Sequence, residues 1–141
     1  MNSEPTLTQG IIFCDQIIRE QGTGKISYIG TFHNYNLPQF PVQIPPFFVS
    51  AFISNITEAN EIDVTTRIEN PKNGMVMSSI AVKVAFQKKP ERNEMHEIYM
   101  PIFNLVFHEA GLYKAVILVN NEKVGERDLL VRDIRASTQP Q

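Results

Sequence analysis

The side chains best suited to nucleophilic chemistry stand in the first third of the chain, where Asp15 follows Cys14 and His33 lies further on. A cysteine acts as a nucleophile when the fold brings a base such as histidine within hydrogen-bond reach. A hairpin that turns at residues 21–24 would bring these segments together. A reactive thiol needs a partly exposed, electropositive setting, but Cys14 has isoleucine and phenylalanine neighbours. The sequence therefore predicts a buried, inert thiol and a chain that is not an enzyme.

A second candidate is the stretch Gly-Thr-Gly-Lys at residues 22–25, which resembles the end of a phosphate-binding loop. Such a loop needs a glycine five residues before the second glycine, and a serine or threonine after the lysine. Arg19 and Ile26 occupy those two positions. The glycines are better explained as turn residues with an unrestricted φ angle. We therefore predict a turn between two strands, and no cofactor.

Metal binding has weak support from the histidines. Two His-Glu pairs occur, at residues 96–97 and 108–109, but a zinc protease motif needs a second histidine four residues on. Met100 and Leu112 stand there instead. A single cysteine also rules out a multi-cysteine metal site and an intrachain disulfide. The spacing predicts no metal site.

A cluster of aromatic residues suggests a surface for a partner. Phe32, His33, Tyr35 and Phe40 precede or enter a segment with four prolines, residues 37–46. Aromatic side chains are enriched at interface hot spots, and the proline segment contains the P-x-x-P pattern of a polyproline ligand. The alternative is that the aromatic residues belong to the core and that the proline segment is a stiff crossover between two sheets, which the sequence favours.

Composition limits the class of protein. The chain has 141 residues, 43% hydrophobic residues and a net charge of −2, with no basic block. One domain of ordinary size fits this length. Clustered lysine and arginine, which nucleic-acid binding requires, are missing, and no apolar run approaches the ~20 residues of a membrane helix. The sequence has no signal-peptide pattern. We expect a soluble, cytoplasmic protein with no nucleic-acid or membrane partner.

The elements that position these residues have a period of two, which is typical of half-buried strands. In residues 61–68, apolar Ile62, Val64 and Ile68 alternate with polar side chains. Similar runs predict Phe47 and Val49 inside. Tyr99, Phe103, Leu105 and Phe107 share a parity, and Pro101 within that run suggests a bulge or an edge strand. We also expect a last strand with Leu129 and Val131 inside and Arg127 and Asp133 outside. Turn signals separate the runs, so we predict an all-β, antiparallel β-sandwich of about seven to nine strands.

The predicted boundaries are a flexible N-terminus at residues 1–9, one sandwich domain at 10–134 and a disordered tail at 135–141. Residues 10–20 allow either a strand or a helical stripe, and their β-branched side chains favour the strand.

Near the end of the chain, Glu109, Gly111 and Tyr113 resemble the corner motif of immunoglobulin-like domains, in which the tyrosine hydroxyl bonds a nearby backbone group. The whole chain also resembles a family of uncharacterised bacterial proteins. The features that carry this second resemblance are Phe13-Cys14-Asp15, Gly24-Lys25, Phe40-Pro41, Pro45-Pro46 and Gly111-Leu112-Tyr113. The resemblance implies a small bacterial sandwich domain, immunoglobulin-like in its C-terminal half, and no known activity.

Three functional hypotheses follow. The first is a non-enzymatic interaction or assembly module that meets a protein partner, or a second copy, through an edge strand. The alternative is a binder of a small or lipid-like ligand, with an inter-sheet cavity lined by methionines such as Met75, Met77, Met95 and Met100. The third is an enzyme that uses Cys14, Asp15 and His33.

Overall fold

The structure of the protein is a computed structural model that describes residues 6–56 and 60–135. The regular structure of these residues is entirely β-strand, so no described helix is long and apolar enough to cross a membrane. The first strand begins at Leu7, three residues before the predicted start of the domain, and most of the predicted tail lies outside the described residues. The strands are β1 (Leu7–Arg19), β2 (Ile26–Phe32), β3 (Asn34–Leu37), β4 (Val42–Gln43), β5 (Phe47–Ser54), β6 (Glu61–Asn70), β7 (Met75–Ala85), β8 (His96–Ile102), β9 (Val106–Phe107), β10 (Gly111–Val119) and β11 (Glu122–Asp133).

These strands form two stacked sheets and a short ribbon. The four-stranded sheet has the order β2-β1-β5-β8, the five-stranded sheet has the order β3-β11-β10-β6-β7, and β4 pairs with β9. Every described pair is antiparallel except β3 with β11, which run parallel. The predicted all-β antiparallel sandwich is confirmed. Its described strands number 11, more than the about seven to nine expected, because two of them are only two residues long.

Alternating side chains supply the core between the sheets. Val64 and Ile68 of β6 and Val49 of β5 are fully buried, as their period of two predicts. The central strand β10 is buried on both faces, because Val116 and Leu118 on its outer side are only 6% and 8% exposed. The inward faces of the two sheets together form this core.

The parity shared by residues 99, 103, 105 and 107 does not put them on one face. The buried residues of β8 are Ile98, Met100 and Ile102, so Tyr99 lies on the outer face, and Phe103 is 53% exposed. The alternation breaks after β8, where Asn104 adopts a left-handed conformation with φ of 57°. A period of two holds only within an uninterrupted strand. Leu105 and Phe107, beyond the break, are buried.

The glycines at residues 22–25 form a turn, as predicted. Gly22 and Gly24 have φ angles of 86° and 71°, and the amide of Gly24 donates a hydrogen bond to the carbonyl of Glu20. This turn joins β1 to β2 in an antiparallel hairpin. The strand interpretation of residues 10–20 is thereby confirmed, since β1 continues to Arg19.

The chain changes sheets at a single residue. β2 ends at Phe32 in the four-stranded sheet, and β3 begins at Asn34 in the five-stranded sheet, so His33 alone joins them. The proline-rich segment then returns the chain from β3 to β5, as the crossover interpretation predicted, and its Ile44 is buried at 4% exposure. One margin of the sandwich is thus closed by the chain itself.

Tyr113 makes the corner contact that the sequence suggests. The residue is 2% exposed, and its hydroxyl donates a 2.7 Å hydrogen bond to the carbonyl of Glu109. Its ring packs 4.8 Å from the ring of Phe107. The hydroxyl therefore fixes the chain where it enters β10.

We expect Tyr113→Phe to lower the free energy of unfolding by about 0.5–1.5 kcal/mol, because it removes a part-buried hydrogen bond to the carbonyl of Glu109. Urea denaturation measures the change. Tyr99→Phe is the matched control, since Tyr99 lies on an outer face and its hydroxyl makes no hydrogen bond to the described residues. Equal costs for the two substitutions would contradict the role of the Glu109 contact.

Candidate functional site

The most unusual charged residue of the sandwich is Arg127 of β11, which faces the interior. Arg127 pairs with Ala115, which is fully buried, and shares its face with Leu129 and Val131. The prediction that Arg127 points outward is wrong, because residues two apart on a strand lie on the same face. The signal in the sequence for this inward direction was the spacing of two residues between Arg127 and Leu129.

Arg127 links the two sheets through its guanidinium group. Nη1 donates a 2.7 Å hydrogen bond to the carbonyl of Ile11 in β1, and Cζ lies 4.6 Å from the centre of the Phe13 ring. β2 pairs with β1 only from Phe13 onward, so the carbonyl of Ile11 lies beyond the reach of β2. The arginine thus occupies the place where β2 leaves the four-stranded sheet.

His33 completes this arrangement at the surface. Nη2 of Arg127 lies 2.5 Å from Nδ1 of His33, and the imidazole is exposed. Because a guanidinium has only donors, Nδ1 must accept this hydrogen bond, which leaves the ring proton of a neutral imidazole on Nε2. Because His33 is exposed, its Nε2–H group is available as a second donor.

The charge of Arg127 has no acidic partner among the described residues. The described ion pairs join Lys83, Lys114, Lys123, Arg135 and His96 to carboxylates, and Arg127 takes part in none of them. Burial lowers the pKa of Arg127, and no neighbouring carboxylate raises it. Two of its five N–H groups are used within the part of the chain that the structure describes. An anion at this margin would find a positive charge and several free donors.

The other residues of the predicted partner surface have different surroundings. Phe32 and Tyr35 are half-buried and pack on each other at 4.8 Å, and both contact the buried ring of Phe47. Phe40 is half-buried too, with the guanidinium of Arg135 at 5.8 Å from its ring. The structure therefore brings Phe32 and Tyr35 into the edge of the core and leaves His33 exposed.

Gly111 is the first residue of β10, next to the corner made by Tyr113.

The nucleophile and base suggested by the sequence do not meet. Cys14 is fully buried and follows Phe13 on β1, so its side chain lies on the opposite face of the sheet from the Phe13 ring that Arg127 covers. His33 contacts Arg127, on the Phe13 side. Burial, and secondarily the charge of Asp15, raise the pKa of the Cys14 thiol. The thiol is buried, as predicted, and it is not paired with His33.

The methionines suggested as the lining of an inter-sheet cavity are dispersed. Met100 is fully buried, whereas Met75 and Met95 are 58% and 50% exposed, so these three do not line one cavity. Residues 6–56 and 60–135 contain no group of three or more histidine, cysteine, aspartate or glutamate residues placed to hold a metal ion.

One solved structure shows where a similar fold occurs. It is the alkylpurine DNA glycosylase AlkC of Pseudomonas fluorescens bound to DNA containing an abasic site analog, with a TM-score of 0.50 and 12% sequence identity. The match covers 90% of this chain but only 30% of the glycosylase, so the likeness concerns the fold alone.

This comparison corrects two predictions. The prediction that the chain is not an enzyme is corrected, because a similar fold forms part of an enzyme. The prediction of a protein partner or a second copy, with no nucleic acid, is corrected because the similar structure is bound to DNA. Net charge describes a whole chain, and a fold does not determine function, so neither exclusion followed from composition or architecture.

No protein of curated function matches the chain. A family model, described as a family of unknown function (DUF6941), matches residues 9–132, which is nearly the whole sandwich. The chain belongs to DUF6941.

Proposed function

We propose that this domain binds a phosphate-bearing ligand at the margin of the sandwich, where Arg127 and His33 supply the donors. The observation that carries the proposal is the inter-sheet guanidinium of Arg127, which is partly buried and has no carboxylate partner among the described residues. Desolvating a cation without a counter-charge is costly, so an anionic ligand would stabilise it.

The chemistry of the donors favours phosphate. A guanidinium presents its N–H groups in a planar fork, which matches the oxygens of phosphate or carboxylate. The Phe13 ring and the carbonyl of Ile11 fix the orientation of this fork. A second donor, the Nε2–H of His33, lies beside it at the surface. Two adjacent donors of fixed orientation suit a ligand with several oxygens.

A nucleic-acid strand and a free nucleotide carry the same phosphate chemistry. The DNA that is bound in the glycosylase structure supports a nucleic-acid strand as the ligand, through likeness of fold alone. The predicted roles as an interaction or assembly module, or as a ligand binder, stay predictions. The ligand binder proposed here differs from the predicted one in two ways: its ligand carries a phosphate, and it binds at the margin of the sandwich instead of in an inter-sheet cavity.

An immunoglobulin-like C-terminal half remains part of this proposal. It is supported by the hydrogen bond between Tyr113 and Glu109, which is the contact expected at such a corner. A bacterial origin and a cytoplasmic location stay predictions.

The test compares Arg127→Met with Arg132→Met, since Arg132 is an exposed arginine on the same strand and its replacement changes the net charge equally. Calorimetry at low ionic strength measures binding of adenosine 5′-monophosphate and of a single-stranded DNA oligonucleotide. We expect Arg127→Met to weaken binding at least about tenfold, because hydrogen bonds to a charged group are lost. Arg132→Met should change it little.

The two ligands distinguish the sources of the phosphate. Tighter binding of the oligonucleotide, with a steep dependence on salt, indicates a strand. Tighter binding of the mononucleotide indicates a free ligand. Arg127→Lys keeps the positive charge but loses the planar fork of N–H groups. Thermal unfolding of this variant shows whether a loss of binding is caused by a loss of folding. Equal affinities of Arg127→Met and Arg132→Met, or no binding to the unmodified protein, would refute the proposal.

A further inference from the structure

The hairpin of β1 and β2 bends back over the outer face of the four-stranded sheet. The hydroxyl of Tyr28 lies 3.0 Å from Oγ of Ser50, and its ring lies 6.3 Å from the ring of Phe52. Ile17 stands opposite Tyr28 on β1, whereas Ile12 stands opposite Ser50. Five positions of an uninterrupted strand span roughly 16 Å, which is beyond the reach of a tyrosine side chain. A straight hairpin could not make this contact.

The bend lies at Asp15 and Gly30. The β1–β2 ladder pairs residues on both sides of this position but not these two, and Gly30 has a φ angle of 69°. A Cβ atom on Gly30 would lie 3.0 Å from Cβ of Asp15, so only glycine permits so close an approach. Beyond the bend, residues 16–29 pair only with each other, because the ladder of β1 with β5 ends at Cys14. We call residues 16–29 the flap.

One face of the flap lies toward the sheet. Its half-buried side chains alternate with exposed ones along both strands, and the half-buried ones are Ile17, Ile26 and Tyr28. Arg19 has the same parity as Ile17 on β1. Burial raises the pKa of Glu97 in β8, and the charge of Arg19 opposes this rise, so Arg19 lies within electrostatic reach of β8. The flap therefore extends over β5 toward the far strand of the sheet.

The outer face near the bend and under the flap carries two small, fully buried side chains. Ser50 and Cys14 are each 0% exposed, although they point away from the core side of their strands, which Val49 and Phe13 occupy. The hydroxyl of Tyr28 lies directly on Ser50. Cys14 is the last residue of β1 before the bend. Both side chains are thus placed to respond to a movement of the flap.

Few interactions hold the flap against the sheet. Its backbone hydrogen bonds stay within the hairpin, as in the bond from the Glu20 amide to the Lys25 carbonyl. Among the described residues, the contact of Tyr28 with Ser50 is the one hydrogen bond from a flap side chain to the sheet. Lifting the flap would break this bond and leave every strand pair intact. Segments with few such contacts open locally, at a lower free energy than the whole fold.

We propose that the flap is hinged at Asp15 and Gly30, that it closes over the outer face of the four-stranded sheet, and that it opens without unfolding of the sandwich. In the closed state it keeps Ser50 and the ring of Phe52 from contact with any other molecule, so it is an autoinhibitory contact on this face. The device is separate from the phosphate site, because Arg127 lies on the opposite side of β1.

The single cysteine of the sequence reports on opening, because Cys14 adjoins the hinge and its thiol is fully buried. Its modification by iodoacetamide is followed by mass spectrometry at urea concentrations below the unfolding transition. Opening of the flap exposes little surface, so we expect the labelling rate to depend only weakly on urea there. A dependence as steep as that of global unfolding would overturn the proposal.

Variants of the flap contact identify the moving part. Tyr28→Phe and Ser50→Ala each remove the same hydrogen bond, and each should raise the labelling rate of Cys14 about twofold to tenfold. The double variant should exceed neither by much, because the two side chains share one interaction. Tyr99→Phe is the matched control, since Tyr99 is on the same outer face and its hydroxyl makes no hydrogen bond to the described residues.

Urea denaturation followed by circular dichroism measures the global stability of each variant. A rise in labelling that only follows a loss of global stability would contradict a local movement. An equal rise in Tyr99→Phe, or additive effects in the double variant, would overturn the role of Tyr28 and Ser50 as the contact that holds the flap closed.

Discussion

Phe47→Ala is expected to lower the free energy of unfolding by about 3–5 kcal/mol, the usual cost of removing a large aromatic ring from a core. Phe47 is 1% exposed. Its ring lies 6.2 Å from Phe13, 5.4 Å from Phe32 and 6.0 Å from Tyr35, so its loss removes a partner from each of three rings. These rings come from both sheets, and the resulting cavity would be difficult to close.

The measurement is urea denaturation followed by circular dichroism, with Phe103→Ala as the matched control. Phe103 is 53% exposed, so its truncation should change the free energy of unfolding by no more than about 0.5 kcal/mol. Similar costs for the two substitutions would mean that the aromatic cluster at Phe47 does not hold the sheets together.

Met100→Ala is expected to cost about 2–5 kcal/mol. Met100 is fully buried on β8, between the sheets, and its sulfur accepts a 3.6 Å hydrogen bond from the hydroxyl of Thr66. Thr66 is itself fully buried in β6. The substitution therefore opens a cavity and leaves a buried hydroxyl without its acceptor, and the two costs act together.

Met75→Ala is the control for this prediction, because Met75 is 58% exposed at the start of β7. We expect a change within about 0.5 kcal/mol by the same denaturation assay. A Met100→Ala protein as stable as the Met75→Ala protein would contradict the packing described for the centre of the sandwich.

The features that the sequence predicted are local ones. The period of two in β6 gave the inward faces of Ile62, Val64 and Ile68, because a strand alternates its side chains without reference to other strands. Paired asparagines at residues 120 and 121, which are typical turn residues, form the turn between β10 and β11, with φ angles of 50° and 69°. Such signals depend on one or two neighbouring residues and can be read directly.

The features that the sequence did not predict depend on distant contacts. Arg127 and His33 are 94 positions apart, and only the pairing of β11 with β3 and the sheet change after β2 bring them together. The outward Tyr99 precedes, and the buried Leu105 follows, a shift in the alternation at Asn104, which adopts the left-handed conformation. Of the candidate site, the sequence identified His33 and missed Arg127, because a charged residue on a strand was assumed to face water.

The change of sheets at His33 has a mechanical consequence. One residue spans the gap there, whereas the other ends of the two sheets, β7 and β8, are joined by the longer segment at residues 86–95. We therefore expect thermal fluctuations that separate the two sheets to be smaller beside His33 than beside β7 and β8. A ligand held at His33 would sit on the stiffest side of the molecule, and solvent would first enter the interior from the far side.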